Sequence, residues 1–198
     1  MDYTVNTLFA DAGEIQADER EALRYLGYGK NLPDEKTKEL IAECKAELEK
    51  VIAAKCCYVR KPVVLKENAL DIGFGEIQSR ALQKNLAGCP EVFIFAATIG
   101  IGADRLILKY EKTAPAKAVV VDALASSTIE VWCDHVNRLL CENKNSKPRF
   151  SPGYGDFDIR HQKDIMALLD TSRKIGLSLT DSMLMTPTKS VTAVIGIY

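Results

Sequence analysis

The run Val92-Phe93-Ile94-Phe95-Ala96-Ala97 constrains this chain more than any other segment. Six consecutive apolar residues leave no polar face, so the run reads as a central strand buried on both sides. A sheet built around it needs cover above and below, and several amphipathic segments can supply it. Pro33, Asp34 and Glu35 open a helix, because acids favour a helix N-terminus. Leu40, Ile41, Cys44, Leu48, Val51 and Ile52 form its apolar face. A more polar helix over 17–25 precedes it, closed by Gly27 and Gly29. The spacing of Val120, Leu124, Val131, Trp132, Val136, Leu139 and Leu140 predicts the longest helix over 116–142. Shorter helices are predicted over 79–86, 103–112 and 159–169, and strands over 56–65, 69–76, 177–185 and 190–198. The elements do not alternate strictly, so the fold class is α+β, a mostly antiparallel sheet flanked by long helices. Residues 1–55, charged and poor in aromatics, read as an N-terminal helical segment or clasp on an α+β core over 56–198, the two forming one compact unit.

With 198 residues, 47% hydrophobic and 27% charged, the chain can bury one sizeable core. A net charge of −1 gives no nucleic-acid signature. No stretch reaches the length of a membrane span, and no basic region followed by an apolar run opens the chain, so the expectation is a cytoplasmic protein with no membrane partner. The six cysteines contain no Cys-x-x-Cys, and His135 and His161 have no metal-ligand spacing, so core packing and no metal site are expected. Gly100-x-Gly102 follows the apolar strand, but Arg105 stands where a dinucleotide loop needs its third glycine. A close-packed strand-to-helix turn is the better reading.

The segment from Arg149 to Asp158, Arg-Phe-Ser-Pro-Gly-Tyr-Gly-Asp-Phe-Asp, has no regular apolar period. Arg149 carries a rigid fork of donors suited to a carboxylate. Pro152, Gly153 and Gly155 shape a turn that a ligand can approach, and Tyr154 adds a flat ring with a polar tip. Such a segment is either an ordinary surface turn or part of a pocket for a small zwitterion with an aromatic portion. Asp122, Ser126, Glu130 and Asp134 recur every four residues along one stripe of the long helix. That stripe is either a solvated face or one that answers a positive amine or sulfonium.

Several ordered segments together resemble the activation (reactivation) domain of cobalamin-dependent methionine synthase, in a free-standing form. Arg149, Gly153 and Tyr154 match the family's Arg-x-x-x-Gly-Tyr-x-x-x-Pro motif, with Asp158 in place of the final proline. The resemblance extends to Phe95-Ala96-Ala97-Thr98-Ile99-Gly100, the helix 122–136, and Leu179-Thr180-Asp181-Ser182 through Met185-x-Pro187 to Ser190-Val191. It implies an S-adenosylmethionine site in which Arg149 holds the ligand carboxylate and Gly153 and Tyr154 lie near the nucleoside. Glu130, assisted by Asp134, would face the ligand's positive charges, with Ser151 and Pro152 completing the turn. It implies no catalytic side chain, because a sulfonium is already an activated methyl donor. The implied role is reactivation of a separate corrinoid methyltransferase. An external donor of flavodoxin type would reduce Co(II) to Co(I), and the S-methyl group would pass to cobalt, leaving S-adenosylhomocysteine. No Asp-x-His-x-x-Gly loop is present, so cobalamin is expected only on the partner. The chain reaches only Tyr198, so late ligand contacts of longer members are expected to be missing. The alternative is a non-catalytic docking module for a corrinoid protein.

Overall fold

The apolar run forms one of the two inner strands of an antiparallel sheet, within the residues 4–29 and 31–198 that the computed structural model describes. In chain order the elements are β1 (Asn6–Phe9), α1 (Glu19–Tyr25), α2 (Glu35–Glu49), β2 (Lys55–Pro62), β3 (Val64–Leu65), β4 (Leu70–Asp71), β5 (Glu76–Ile77) and α3 (Arg80–Asn85). They continue with β6 (Glu91–Thr98), α4 (Ile101–Thr113), α5 (Pro115–Leu140), α6 (His161–Leu169), α7 (Thr171–Ile175), β7 (Ser178–Leu179), β8 (Met185–Thr186) and β9 (Ser190–Ile197). The main sheet has the order β1-β2-β6-β9, with every neighbour antiparallel.

Both faces of this sheet are covered. Cys56, Phe93, Phe95, Ala97, Ala193 and Ile195 face a core shared with α1, α2, α4 and α5. Their neighbours Cys57, Ile94, Ala96 and Val194 face a second core built with α3, α6 and α7. Strand alternation therefore sends the adjacent Cys56 and Cys57 into different cores. Each fully buried Phe or Ile on β6 contributes about 1.5–3 kcal/mol, which explains why the run is inner rather than edge. The Trp132 indole N–H donates to the Lys55 carbonyl at 3.0 Å and ties α5 to the start of β2.

Local chemistry sets the ends of the helices. Asp34 accepts the Thr37 N–H at 2.8 Å to start α2, and Ser79 accepts the Leu82 N–H at 3.0 Å to start α3. Gly100, at φ +85°, turns β6 into α4. A Cβ on Gly102 would lie 2.0 Å from the Val51 carbonyl oxygen, so the pair of glycines serves close packing, as the missing third glycine indicated.

Two predicted strands are shorter than expected. Residues 69–76 contain β4 and the start of β5, because Asp71 accepts the N–H groups of Gly73 and Gly75 and bends the chain between them. Residues 177–185 fold into the β7–β8 hairpin, where the Thr180 hydroxyl accepts the Leu184 N–H at 3.0 Å. Strand β2 stops at Pro62, which cannot donate to the ladder. Helix α7 escaped the sequence reading; five residues are too few to display a period. No helix among the described residues is long and apolar enough to cross a membrane.

Candidate functional site

The acidic stripe of α5 finds its partners in two cations from elsewhere in the chain. Lys189, just before β9, donates to Asp122 at 2.7 Å and to the Ser126 hydroxyl at 2.9 Å. One turn further along, Arg149 donates to Asp134 at 2.6 Å and to Glu130 at 3.1 Å. Glu130 and Asp134, acids at i and i+4, would otherwise repel, and Arg149 offsets that like-charge contact. The Arg149 side chain is 23% exposed, against 50% for Glu130 and 62% for Asp134. Burial works against its charge, but the Asp134 hydrogen bond and the neighbouring carboxylates outweigh that and hold the guanidinium above its ordinary pKa. The buried Cys133 thiol lies beneath this group and is pushed up to about 12 by desolvation, despite the pull of Arg149.

Arg149 is held in place by the sheet. Phe150 and Val194 exchange both backbone hydrogen bonds, at 3.0 and 2.9 Å, and Lys147 donates to the Gly196 carbonyl at 2.9 Å. The connection after α5 thus runs along the outer edge of β9 and brings Arg149 back against the helix it left. Beyond it the chain turns tightly: the Gly153 N–H donates to the Phe157 carbonyl at 2.7 Å, with Gly153 at φ +96°. Phe157 is buried and stacks on His161, with ring centroids 5.3 Å apart. Phe150 meets Tyr154 edge to face.

The turn is fastened to α3 by Asp156. Its carboxylate accepts from the Ser79 hydroxyl at 2.6 Å, the Arg80 N–H at 2.9 Å and the Ala81 N–H at 3.0 Å. These bonds hold its pKa below the usual carboxylate value, the Ser79 bond contributing most. Asp158, where the family motif has proline, accepts the Arg160 N–H at 2.8 Å and pairs with the Arg160 guanidinium at 2.6 Å. Those contacts, the side-chain bond first, lower it to about 2. Asp158 fixes the turn that enters α6 and does not line the cavity described next.

A cavity of about 680 Å³ opens between α5, this loop, α6 and the edge of β9. Of the residues singled out from sequence, Glu130, Asp134, Arg149, Ser151, Pro152 and Tyr154 line it, while Gly153 shapes the turn behind Tyr154. Tyr154 is 60% exposed, so one side of its ring is free to meet a ligand. Gln162 and Thr192, which the sequence reading did not name, also line the wall, as do Met185 and Ser190, which it named only among the segments that resemble the family. A signal for Gln162 was present: it occupies the stripe of Ile165, Met166 and Leu169, where an apolar residue is expected. Charge of both signs beside an aromatic ring suits a zwitterion with a flat portion. Among the described residues no group of His, Cys, Asp and Glu is arranged to hold a metal ion.

A family model described as vitamin B12 dependent methionine synthase, activation domain, matches residues 82–197. No curated protein matches the chain in sequence. Among solved structures, the crystal structure of the MetH reactivation domain bound to AdoHcy superposes with a TM-score of 0.73. The identity is 17%, and the match covers 98% of this chain and 78% of that one.

Proposed function

The chain belongs to the family of vitamin B12 dependent methionine synthase activation domains, and on that premise we propose that it binds S-adenosylmethionine in the Arg149 cavity. It would support reductive methylation of a corrinoid methyltransferase whose cobalamin is held outside these residues. The observation that carries this reading is Arg149, largely shielded from solvent between Glu130 and Asp134 on the wall of a cavity about 680 Å³ in volume. Arg149 has five donors, so two acidic partners leave part of its fork for a ligand carboxylate. Glu130 and Asp134 supply the negative field that an ammonium and a sulfonium require. The neighbouring solved structure holds AdoHcy, the demethylated product, which supports the same ligand class here.

The chemistry of the bound pair is a methyl transfer from sulfonium sulfur to the partner's reduced corrinoid. The residues of this chain need only bind, orient and exclude water. Glu130 and Asp134 hold the amino-acid end of the ligand by charge, Arg149 fixes the carboxylate, and Tyr154 offers a face to the nucleoside. The electron reaches the partner from an external donor, for which a flavodoxin-like protein is the expected class. The test is transfer of label from methyl-labelled S-adenosylmethionine to a corrinoid methyltransferase started in its oxidised, inactive form with a chemical reductant. Label should reach the corrinoid only when this chain is present. Transfer at the same rate without it would overturn the reading and leave a docking module as the alternative.

A further inference from the structure

Besides its charged wall, the cavity contains buried polar groups without partners. Gln162 is 7% exposed, yet its Oε1 has no hydrogen-bond partner, and no described residue accepts from its Nε2. Thr192 is 2% exposed and its hydroxyl oxygen is likewise unpartnered. Both residues line the cavity. The other orphaned amides among the described residues, Gln83 and Asn85, sit on α3 and do not line it. Buried polar groups are normally paired, and leaving one unpaired is costly, so two at one cavity wall point to a ligand that supplies the partners.

Strand geometry adds a second observation. Val194 turns its N–H and C=O away from β6 to pair with Phe150. Alternation directs the backbone groups of Thr192, two residues earlier, toward that same outer side. The pairing segment does not continue past Phe150 in that direction, because the chain leaves the edge at Ser151. Thr192 thus presents a backbone donor and acceptor at the open edge, with its buried hydroxyl beside them on the sheet face that Val194 shares. Met185 and the Tyr154 ring, also on the wall, offer apolar and aromatic surface for a flat group.

We infer that Gln162, supported by Thr192, reads the base of the nucleoside and selects a 6-aminopurine; this rests on the S-adenosylmethionine reading above. A side-chain amide places one donor beside one acceptor, which matches the N6 amine and N7 of adenine in a bidentate pair. Hypoxanthine carries a carbonyl in place of that amine, so one of the two bonds becomes acceptor against acceptor. The uncharged polar groups would then read the base while Arg149, Glu130 and Asp134 read the amino-acid end.

Titration calorimetry of the intact chain with S-adenosylhomocysteine and S-inosylhomocysteine tests this. Wild type should prefer the adenosyl compound by about tenfold or more, the usual penalty for stranding a site built to hydrogen-bond its ligand. Gln162→Met should abolish the preference, weakening the adenosyl compound about tenfold more than the inosyl compound, without lowering Tm. Gln162→Asn, which keeps the amide but withdraws it by one methylene, should collapse the preference in the same way if the methionine variant does not fold. Equal binding of the two compounds by wild type, or an undiminished preference in the folded variants, overturns the base-reading role and leaves the proposed function standing. Failure of wild type to bind either compound or S-adenosylmethionine overturns both.

Discussion

The Arg149 guanidinium lies 2.6 Å from the Asp134 carboxylate, although the loop between them leaves α5 and runs along β9 before returning. That ion pair, with the Glu130 contact at 3.1 Å, joins the loop to the face of the helix it came from. Arg149→Ala leaves Glu130 and Asp134 as an unanswered like-charge pair. Because both carboxylates are well exposed, the cost to stability should be about 1 kcal/mol. Urea unfolding followed by circular dichroism measures it, and a loss several times larger would show that Arg149 is chiefly a structural residue.

The cavity wall carries Glu130 and Asp134 against Arg149 and Lys147, with the two carboxylates grouped together on α5. S-adenosylmethionine carries one positive charge more than its demethylated product. Glu130→Gln should therefore weaken S-adenosylmethionine by about tenfold while S-adenosylhomocysteine changes much less. Raising the salt concentration should narrow the wild-type difference between the two ligands. Equal losses for both in the variant would place Glu130 away from the sulfonium.

Asp156 links the pH response of the protein to its loop. Its folded-state pKa is depressed, by the Ser79 hydroxyl first and then by the Ala81 and Arg80 N–H groups. The stability it contributes is complete above the unfolded carboxylate value of about 4 and is lost as the pH falls through the folded value. Asp158, lowered to about 2 through Arg160, loses its own contribution lower in the same acid range. Tm followed from pH 5 to pH 2 should fall less steeply for Asp156→Asn than for wild type. At pH 7 the variant should melt about 2–4 °C lower, since a helix-start partner has been weakened. Parallel curves at all pH values would contradict the assignment.

Gly102 tests the strand-to-helix turn. A methyl group there would meet the Val51 carbonyl oxygen at 2.0 Å, a backbone atom that cannot move aside cheaply. Gly102→Ala should cost about 3 kcal/mol, the upper end of overpacking, measured by chemical denaturation. Gly13→Ala, where no atom lies within 4 Å but φ is +81°, provides a comparison of backbone strain alone and should cost less. A neutral Gly102 variant would show that the turn is looser than described.

Much of this architecture was legible in the sequence because it follows from periodicity. The buried strand, α2 with Asp34 at its start, and α5 all came from apolar spacing and cap chemistry. What stayed hidden was decided by polar side chains bonding to nearby backbone, as Asp71 does in splitting 69–76 and Thr180 in folding 177–185. The Arg149 to Asp158 segment showed a charged fork and a tight turn. It did not show that the loop edges β9 or that Asp156 fastens it to α3, because both contacts join residues distant in sequence. The stripe from Asp122 to Asp134 was ambiguous until Lys189 and Arg149 supplied its counter-charges. Gln162 and Thr192 were missed since a single polar residue in an apolar stripe carries little weight without knowing what it faces.

Titration of the isolated chain with S-adenosylmethionine tests the central claim most directly. The account predicts a saturable, one-site heat for wild type that disappears in folded Arg149→Ala. Absence of heat at millimolar ligand, or undiminished binding by the variant, would contradict it.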